Sequence, residues 1–235
     1  MEVQIAVAKI RKYAVSNSGD TVEVVERPQG GISVVLVDGQ SSGRGAKWIS
    51  TLVVRKVISL LAEGVRDGAA ARAASDSLYT DRNGKVSATL NIISIDQKTR
   101  TLVITRNNPT PAILIRGCDV VLLDEQSSPI GLYRDTRPVI NEVHLEVGLT
   151  AVIYSDGLVH AGERTGEQMD ISQFLLVIMR ESTPPAQVIA DLLLDRAMRL
   201  DQQRPVDDIS IVVVQVIEQS GDDVRRMVVR LPLAS

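Results

Sequence analysis

The segment VLVDGQSSGRGA, residues 35–46, joins a short aliphatic run to a loop of glycine and serine and then to a helical pattern. The run over 31–37 is rich in β-branched residues, which predicts a buried strand. Downstream, apolar residues recur at helical spacing over 43–62. The segment therefore predicts a strand that ends in Asp38 and Gly39 directly before a long helix.

Outside this segment, short β-type runs separated by Gly, Pro, Asn and Asp account for most of the chain. The predicted strands are about 2–10, 21–27, 31–37, 86–96, 100–107, 111–116, 119–124, 140–147, 150–155 and 208–217. The predicted helices are 43–62, about 65–80, 171–181 and 185–200. Tight connections between several strands make the pairing largely antiparallel. The order predicts an α+β fold, a four-layer α-β-β-α sandwich of two mainly antiparallel sheets flanked by helices, with 1–235 as a single domain.

The C-terminal segment 218–235 looks detachable from this plan. Its part 224–233 is rich in β-formers and alternates imperfectly between apolar residues and arginine. The acidic turn at 221–223 would allow it to fold back on the strand 208–217 as a hairpin that ends at Pro232. One more sheet strand is therefore expected, while an edge that pairs with a partner or a second copy, and disorder, stay open as alternatives.

Composition excludes several classes of partner and compartment. Hydrophobic residues make up 44% of the chain, charged residues 23%, and the net charge is −3. Nothing in these values marks a binder of nucleic acid or of an anionic membrane, and the aliphatic runs are too short to span a bilayer. The N-terminus has the reverse of the charge order of a secretory signal. A single cysteine, Cys118, excludes an intramolecular disulfide framework and fits a reducing cytoplasm.

Several catalytic classes are excluded by the absence of their motifs. Cys118 is followed by DVVLLD, which supplies none of the cations that a cysteine phosphatase needs to bind phosphate. The segment 43–47 lacks the spacing and the hydroxyl of a Walker-type loop, and no Gly-x-Ser-x-Gly elbow is present. The only histidines are His144 and His160, too few for a zinc hydrolase, and each is more typical of a structural or surface position.

Aspartates stand at the ends of several aliphatic runs. Four of them adjoin a glycine or the start of a strand: Asp20, Asp38, Asp156 and Asp207. A carboxylate at the end of a buried strand needs a partner, because leaving it unpaired costs several kcal/mol. Oxygen-only ligands select hard cations such as Mg²⁺ or Mn²⁺. Any one of these sites alone is more typical of a turn, but four together favour a metal site.

Four segments resemble the motifs of the PPM family of metal-dependent phosphatases, and in particular its bacterial SpoIIE-type branch. They are SGD at 18–20, VLVDGQSSGRGA at 35–46, YSDGLVHA at 154–161 and VDDISIVVV at 206–214. Weaker matches at 87–96 and 127–133 agree with them. Within the branch, the loop over 38–50 is most similar to that of the stressosome phosphatase RsbX. The resemblance extends over about 20–214, which is nearly the whole chain.

The resemblance implies a centre of two divalent cations, Mn²⁺ or Mg²⁺. Asp38 would bridge both ions, and the carbonyl of Gly39 would bind the second. Asp156 and Asp207 would hold the first. Asp20 matches the acidic position of the opening motif and would act directly or through water. Asp38 and Asp20 are therefore the predicted catalytic residues.

The resemblance leaves the roles of residues at three positions open. Asp207 is the preferred ligand in the closing motif, but spacing alone does not separate it from Asp208. Arg11 is the candidate for the phosphate-gripping arginine found in part of the family, and Lys12 lies in the same region. Gln40 stands where some relatives carry a histidine that could protonate the leaving group, so water or substrate must do so here.

The function implied by the resemblance is that of a protein serine/threonine phosphatase. It would hydrolyse phosphoserine and phosphothreonine on bacterial signalling proteins by a metal-activated water. Analogy with RsbX suggests STAS-domain proteins of a stress-signalling complex as substrates. Two alternatives stay open: an inactive PPM scaffold that serves as a binding module, and a hydrolase of small phosphate esters.

Overall fold

The computed structural model describes residues 1–219 and 221–232. Along the chain, blocks of strands alternate with blocks of helices. The strands are β1 Glu2–Ile10, β2 Asp20–Glu26, β3 Ile32–Gly39, β4 Ala88–Asp96, β5 Thr101–Asn107, β6 Ala112–Arg116, β7 Asp119–Leu123, β8 Val139–His144, β9 Leu149–Tyr154 and β10 Ile209–Ile217. The helices are α1 Gly43–Ala62, α2 Asp67–Arg82, α3 Asp156–His160, α4 Ile171–Glu181 and α5 Ala186–Leu200, with a short 3-10 turn at Glu163–Thr165.

Two five-stranded sheets carry the fold. The first sheet has the order β1-β10-β9-β6-β7, and the second sheet has the order β2-β3-β4-β5-β8. Every neighbouring pair is antiparallel. The predicted antiparallel pairing is therefore confirmed.

The sheets pack face to face, because alternate residues of each strand point to opposite sides. On β3, Val34 and Leu36 face the first sheet in a core shared by both sheets. Val35 and Val37 face the other way, into a core built with α1 and α2. On the far side, α4 and α5 cover the first sheet through a third cluster that includes Leu175. The layers follow the order helix, sheet, sheet, helix, so the predicted four-layer sandwich is confirmed.

One helix was not expected from the sequence. Residues 150–155 were predicted as a strand running into a turn at Asp156 and Gly157, but the chain continues into α3. The helix has five residues and is too short for a hydrophobic period to show in the sequence. The backbone approaches β10 closely there, because a Cβ atom placed at Gly157 would lie 2.1 Å from the carbonyl oxygen of Asp208.

The predicted C-terminal hairpin is not formed. β10 lies between β1 and β9, so both of its edges are already paired and no free edge is left for a returning strand. Residues 218–219 and 221–232 contain no strand. Val228 and Val229 are 81% and 88% exposed, and the guanidinium of Arg225 reaches the carboxylate of Glu26 at 2.6 Å. Residues 233–235 lie outside the described part of the chain.

Across residues 1–219 and 221–232, none of the helices has both the length and the apolar character needed to cross a membrane.

Candidate active site

Asp20 and Asp38 form a cross-strand pair at one side of the site. Asp20 starts β2, Asp38 lies near the end of β3, and the two residues are directly opposite in the register of the strands. Asp20 is fully buried. Neither of its carboxylate oxygens has a hydrogen-bond partner in the described part of the chain. A buried carboxylate without a partner is costly, so this position calls for a proton or a cation.

An open cleft of about 390 Å³ brings the other predicted ligands together. Asp38 and Gly39 enter it from the end of β3, Asp156 from the start of α3, and Asp207 from the loop before β10. Asp20 is not among the lining residues and is buried beside Asp38. Three segments that are far apart in the sequence thus meet at one cleft.

The glycines beside these aspartates allow backbone segments to pack closely. A Cβ atom at Gly39 would lie 2.2 Å from the carbonyl oxygen of Ala46 on α1. A Cβ at Gly19 would lie 2.7 Å from the Cβ of Ala46. Together with the contact of Gly157 on Asp208, these approaches explain why glycine adjoins Asp20, Asp38 and Asp156. The close packing fixes α1 and β10 against the strand ends that carry the site.

The neighbours Asp207 and Asp208 have different environments. Asp208 is buried, and its carboxylate accepts hydrogen bonds from the backbone N–H groups of Lys12 at 2.8 Å and Gly19 at 2.6 Å. Asp208 therefore anchors the loop between β1 and β2. Asp207 lines the cleft, where its Oδ1 accepts from the backbone N–H of Asp208 at 2.9 Å. Asp207 is the member of the pair that faces the cleft.

Burial and mutual repulsion raise the pKa values of these carboxyl groups. Burial, followed by the charges of Asp20 and Asp156, raises the pKa of Asp38 to about 9. Burial raises the pKa of Asp20 to about 6, although the nearby hydroxyl groups of Ser210 and Ser155, and then the charge of Lys9, oppose the shift. Burial also raises the pKa of Asp207. Asp38, Asp20 and Asp207 therefore hold their protons to higher pH than free aspartates do.

The donor set fits divalent cations by its chemistry. Carboxylate and carbonyl oxygens are the ligands that Mg²⁺ and Mn²⁺ prefer, and both oxygens of Asp20 are without a partner. Within the described residues, no three Asp, Glu, His or Cys side chains already converge closely enough to hold an ion. The carboxylates would therefore have to draw together around a cation.

Two lysines that sequence reasoning missed hold the backbone of Asp20. Its carbonyl oxygen accepts from Lys9 Nζ of β1 at 2.5 Å and from Lys47 Nζ of α1 at 3.0 Å. Lys47 also donates to Thr21 Oγ1 at 2.8 Å. Burial lowers the pKa values of both lysines. Neither lysine belongs to a motif, so only the tertiary packing of β1 and α1 against β2 reveals them.

The two basic residues near the N-terminus, Arg11 and Lys12, have different environments. Arg11 is exposed, and its guanidinium donates to the carbonyl oxygen of Ser16 at 3.1 Å. Lys12, the next residue, lines the cleft. Gln40 also lines the cleft, and its Oε1 accepts from the backbone N–H of Ser87 at 2.8 Å. The amide thus fixes the glycine and serine loop to the start of β4.

Of the two histidines, His160 lies close to the site. Its Nε2 is 4.0 Å from Asp156 Oδ2, and its Nδ1 is 2.7 Å from Glu163 Oε1. The hydrogen bond with Glu163 is the main cause that raises the pKa of His160. The position of His160 four residues after Asp156 is the only sequence signal for this proximity, and it has meaning only once α3 is known.

The family described as Stage II sporulation protein E (SpoIIE) matches residues 28–217 of this chain. The Stage II sporulation protein E of Bacillus subtilis (strain 168) is 23% identical over 199 residues. The match takes in 85% of this chain and 24% of that protein. The chain thus spans about a quarter of the length of this relative.

Solved structures share the fold. The PP2C phosphatase domain of SpoIIE from Bacillus subtilis, with a fragment of its regulatory domain, superposes with a TM-score of 0.80 at 21% identity, over 94% of this chain and 64% of that one. The catalytic domain of the serine threonine protein phosphatase PstP, in complex with two manganese ions, gives 0.70 at 17% identity, over 92% and 99%. RsbX in complex with magnesium gives 0.68 at 17%, over 91% and 94%.

RsbX is one of several structural matches, so the predicted special closeness to RsbX is not established. The fold and the match over residues 28–217 agree with the wider resemblance seen in the sequence. The chain belongs to the Stage II sporulation protein E (SpoIIE) family.

Proposed function

We propose that this chain is a metal-dependent protein phosphatase that hydrolyses phosphoserine and phosphothreonine in proteins. The observation that carries the proposal is the meeting of Asp38, Asp156 and Asp207 in one open cleft, with Asp20 buried beside Asp38. Family membership supports the same reaction. An open cleft suits a phosphorylated residue presented on the surface of a folded protein.

Two divalent cations, Mg²⁺ or Mn²⁺, complete this proposed centre. Asp38 and the carbonyl of Gly39, with Asp156 and Asp207, would hold them, and Asp20 would act directly or through water. Bound together, such cations acidify water and stabilise the charge that develops in an in-line displacement at phosphorus. The structures of PstP with manganese and RsbX with magnesium support the choice of ions.

The residues of the chain supply position and charge. Lys9 and Lys47 fix the backbone of Asp20 and thereby the start of β2. Lys12 lines the cleft, so its ammonium is better placed than the guanidinium of Arg11 to attract a phosphate dianion. Gln40 is neutral and cannot donate a proton as an acid would, so the leaving alkoxide takes its proton from water.

The substrates we propose are phosphorylated STAS-domain proteins of a bacterial stress-signalling complex in the cytoplasm. The similarity of the 38–50 loop to RsbX and the structural match to RsbX support this choice. The net charge of −3 gives no reason to expect nucleic acid or an anionic membrane as a partner.

The test is the substrate class of the purified protein. Phosphate release from phosphoserine and phosphothreonine peptides should require Mn²⁺ or Mg²⁺ and should stop when EDTA is added. Sugar phosphates and nucleotides should be poor substrates. Faster turnover of small metabolites would support a small-ester hydrolase instead, and failure with every substrate at saturating metal would support an inactive scaffold.

A further inference from the structure

An exposed tryptophan lies just beyond the glycine and serine loop of the cleft. Trp48 is the only tryptophan of the chain, and 48% of its surface is exposed on α1. The guanidinium carbon of Arg82, at the end of α2, stacks 3.9 Å from the centroid of its ring. The stacking holds both side chains in place before any partner arrives. Tryptophan and arginine are enriched among the residues that dominate the binding energy of protein interfaces.

A second aromatic and basic group adjoins the first. A Cβ atom at Gly84 would lie 2.9 Å from the ring of Tyr79 and 3.1 Å from the carbonyl oxygen of Leu132. The turn after α2 therefore touches the loop that follows β7. In that loop Tyr133 is 68% exposed, and the guanidinium carbon of Arg134 lies 5.1 Å from the ring centroid of Tyr79.

This surface is continuous with the cleft. Ala88 and Pro129 line the cleft, and Ala88 pairs with Ile130 in an isolated bridge. The loop with Tyr133 follows this bridge directly. On α1, Arg44 is exposed two residues after Ser42, which lines the cleft. A substrate whose phosphorylated residue enters the cleft would bring its flanking residues onto this surface.

We call this surface the rim patch and define it by Arg44, Trp48, Arg82, Lys85, Tyr133 and Arg134. None of its four basic side chains forms an ion pair within residues 1–219 and 221–232. The acids next to it are Asp81, Asp135 and Asp76, so the four basic side chains outnumber the neighbouring carboxylates by one. The rim patch is therefore locally basic although the whole chain carries a net charge of −3.

We propose that the rim patch docks acidic residues that flank the phosphorylated residue of the protein substrate. The inference rests on the proposed phosphatase function and names the chemistry of its partner. The four cations attract carboxylates toward the cleft, while Trp48 and Tyr133 offer apolar area at small entropic cost, because aromatic rings have few rotatable bonds. The pairing of charges would also favour one class of phosphoprotein over another.

Two phosphoserine peptides of equal length test the proposal. One carries Asp and Glu on both sides of the phosphoserine, and the other carries Gln and Ala. The wild-type protein should turn over the acidic peptide with a kcat/KM about tenfold higher, the size of effect expected from one strong interface contact. W48A and R82Q should reduce this ratio to about twofold or less while turnover of p-nitrophenyl phosphate, which has no flanking residues, stays unchanged.

Matched controls separate docking from folding. Val188 is 43% exposed on α5, at the opposite outer layer, and V188A should leave the ratio unchanged. If W48A lowers the melting temperature, the charge reversals K85E and R134E test the docking role instead. Both side chains are exposed, so these changes should not disturb folding. They should abolish or invert the preference for the acidic peptide.

Equal kcat/KM values for the two peptides in the wild-type protein would overturn the docking proposal while leaving the phosphatase function intact. So would a preference that survives W48A, R82Q and both charge reversals. Absence of turnover of both peptides and of p-nitrophenyl phosphate at saturating Mn²⁺ would instead overturn the proposed function, and the docking role with it.

Discussion

Asp20 and Asp38 are direct cross-strand partners on β2 and β3, at the end of the second sheet that borders the cleft. Like charges directly opposite in an antiparallel pair are destabilising. Burial adds to the cost and is the largest cause of the rise in the pKa of Asp38 to about 9. The sheet thus carries an electrostatic cost at the point where the proposed centre needs a cation.

This pair predicts how stability depends on pH in the metal-free protein. Asp38 has a pKa of about 9 when folded and an ordinary value of 3.8 when unfolded, and Asp20 has a folded pKa of about 6. The folded state therefore holds protons that the unfolded state has lost, so the free energy of unfolding falls as pH rises from about 4 to about 9.

Urea denaturation in EDTA at several pH values measures this dependence. D38N removes one titrating group, so its stability should change less with pH and should exceed that of the wild type near pH 8.5. Saturating Mn²⁺ should raise the stability of the wild type by mass action. A wild-type protein that gains stability with rising pH in EDTA would contradict the prediction.

The lysine contacts on Asp20 predict a positioning role for Lys47. K47M removes the ammonium that donates to the carbonyl of Asp20 and to Thr21. A hydrogen bond from a charged donor is worth about 1.5–3 kcal/mol, and partial exposure of Lys47 places the expected loss near the lower end. Phosphopeptide turnover should fall with it, because the start of β2 is less fixed.

The control is K56M, an exposed lysine on the same helix. It should leave the free energy of unfolding and the turnover within error of the wild type. Equal behaviour of K47M and K56M would show that the contact with Asp20 has no functional weight.

Gly39 predicts a steric effect. G39A would place a Cβ atom 2.2 Å from the carbonyl oxygen of Ala46, so α1 must shift away from β3. The expected loss is about 1–3 kcal/mol, as for other overpacked sites. G45A is the matched control on α1, because nothing lies within 4 Å of its Cβ and alanine is a better helix former than glycine. Denaturation curves should show G39A destabilised and G45A equal or more stable.

Removal of the C-terminal tail is expected to leave the protein unchanged in stability and activity. Residues 221–232 are exposed and form no strand, and their contact with the rest of the chain includes an exposed ion pair between Arg225 and Glu26. Such pairs contribute about 0–1 kcal/mol. A chain ending at Gln219 should keep its melting temperature, turnover and oligomeric state. Loss of solubility would show that the tail is structural, and loss of substrate binding or of dimerisation would show that it is an edge for pairing.

Periodicity was sufficient to predict the sheets and the long helices. The alternation of β3 and the helical spacing of α1 each extend over many residues, so their elements appear in the sequence within a few residues of their true bounds. α3 was not predicted, because its five residues form little more than one turn and show no hydrophobic period. The tail was misjudged because its own pattern favours a strand, whereas the neighbours of β10 decide whether an edge is free.

The site residues also fall into two groups, those that the sequence indicates and those that only the tertiary structure reveals. Asp38 and Asp156 stand at strand ends beside glycine and could be identified from the sequence as members of one cleft. The difference between Asp207 and Asp208 depends on which carboxylate the loop between β1 and β2 occupies, and that contact joins residues nearly two hundred positions apart. The contacts of Lys9 and Lys47 with Asp20 likewise depend on long-range packing.

The most direct test of the two-cation centre is titration calorimetry of Mn²⁺ into the metal-free protein, with phosphopeptide turnover measured on the same samples. The wild type should bind two ions per chain. D38N should lose the shared ligand, bind at most one ion, and lose turnover while its circular dichroism spectrum stays unchanged. D38N that binds two ions and keeps half or more of the wild-type turnover at saturating Mn²⁺ would contradict the account.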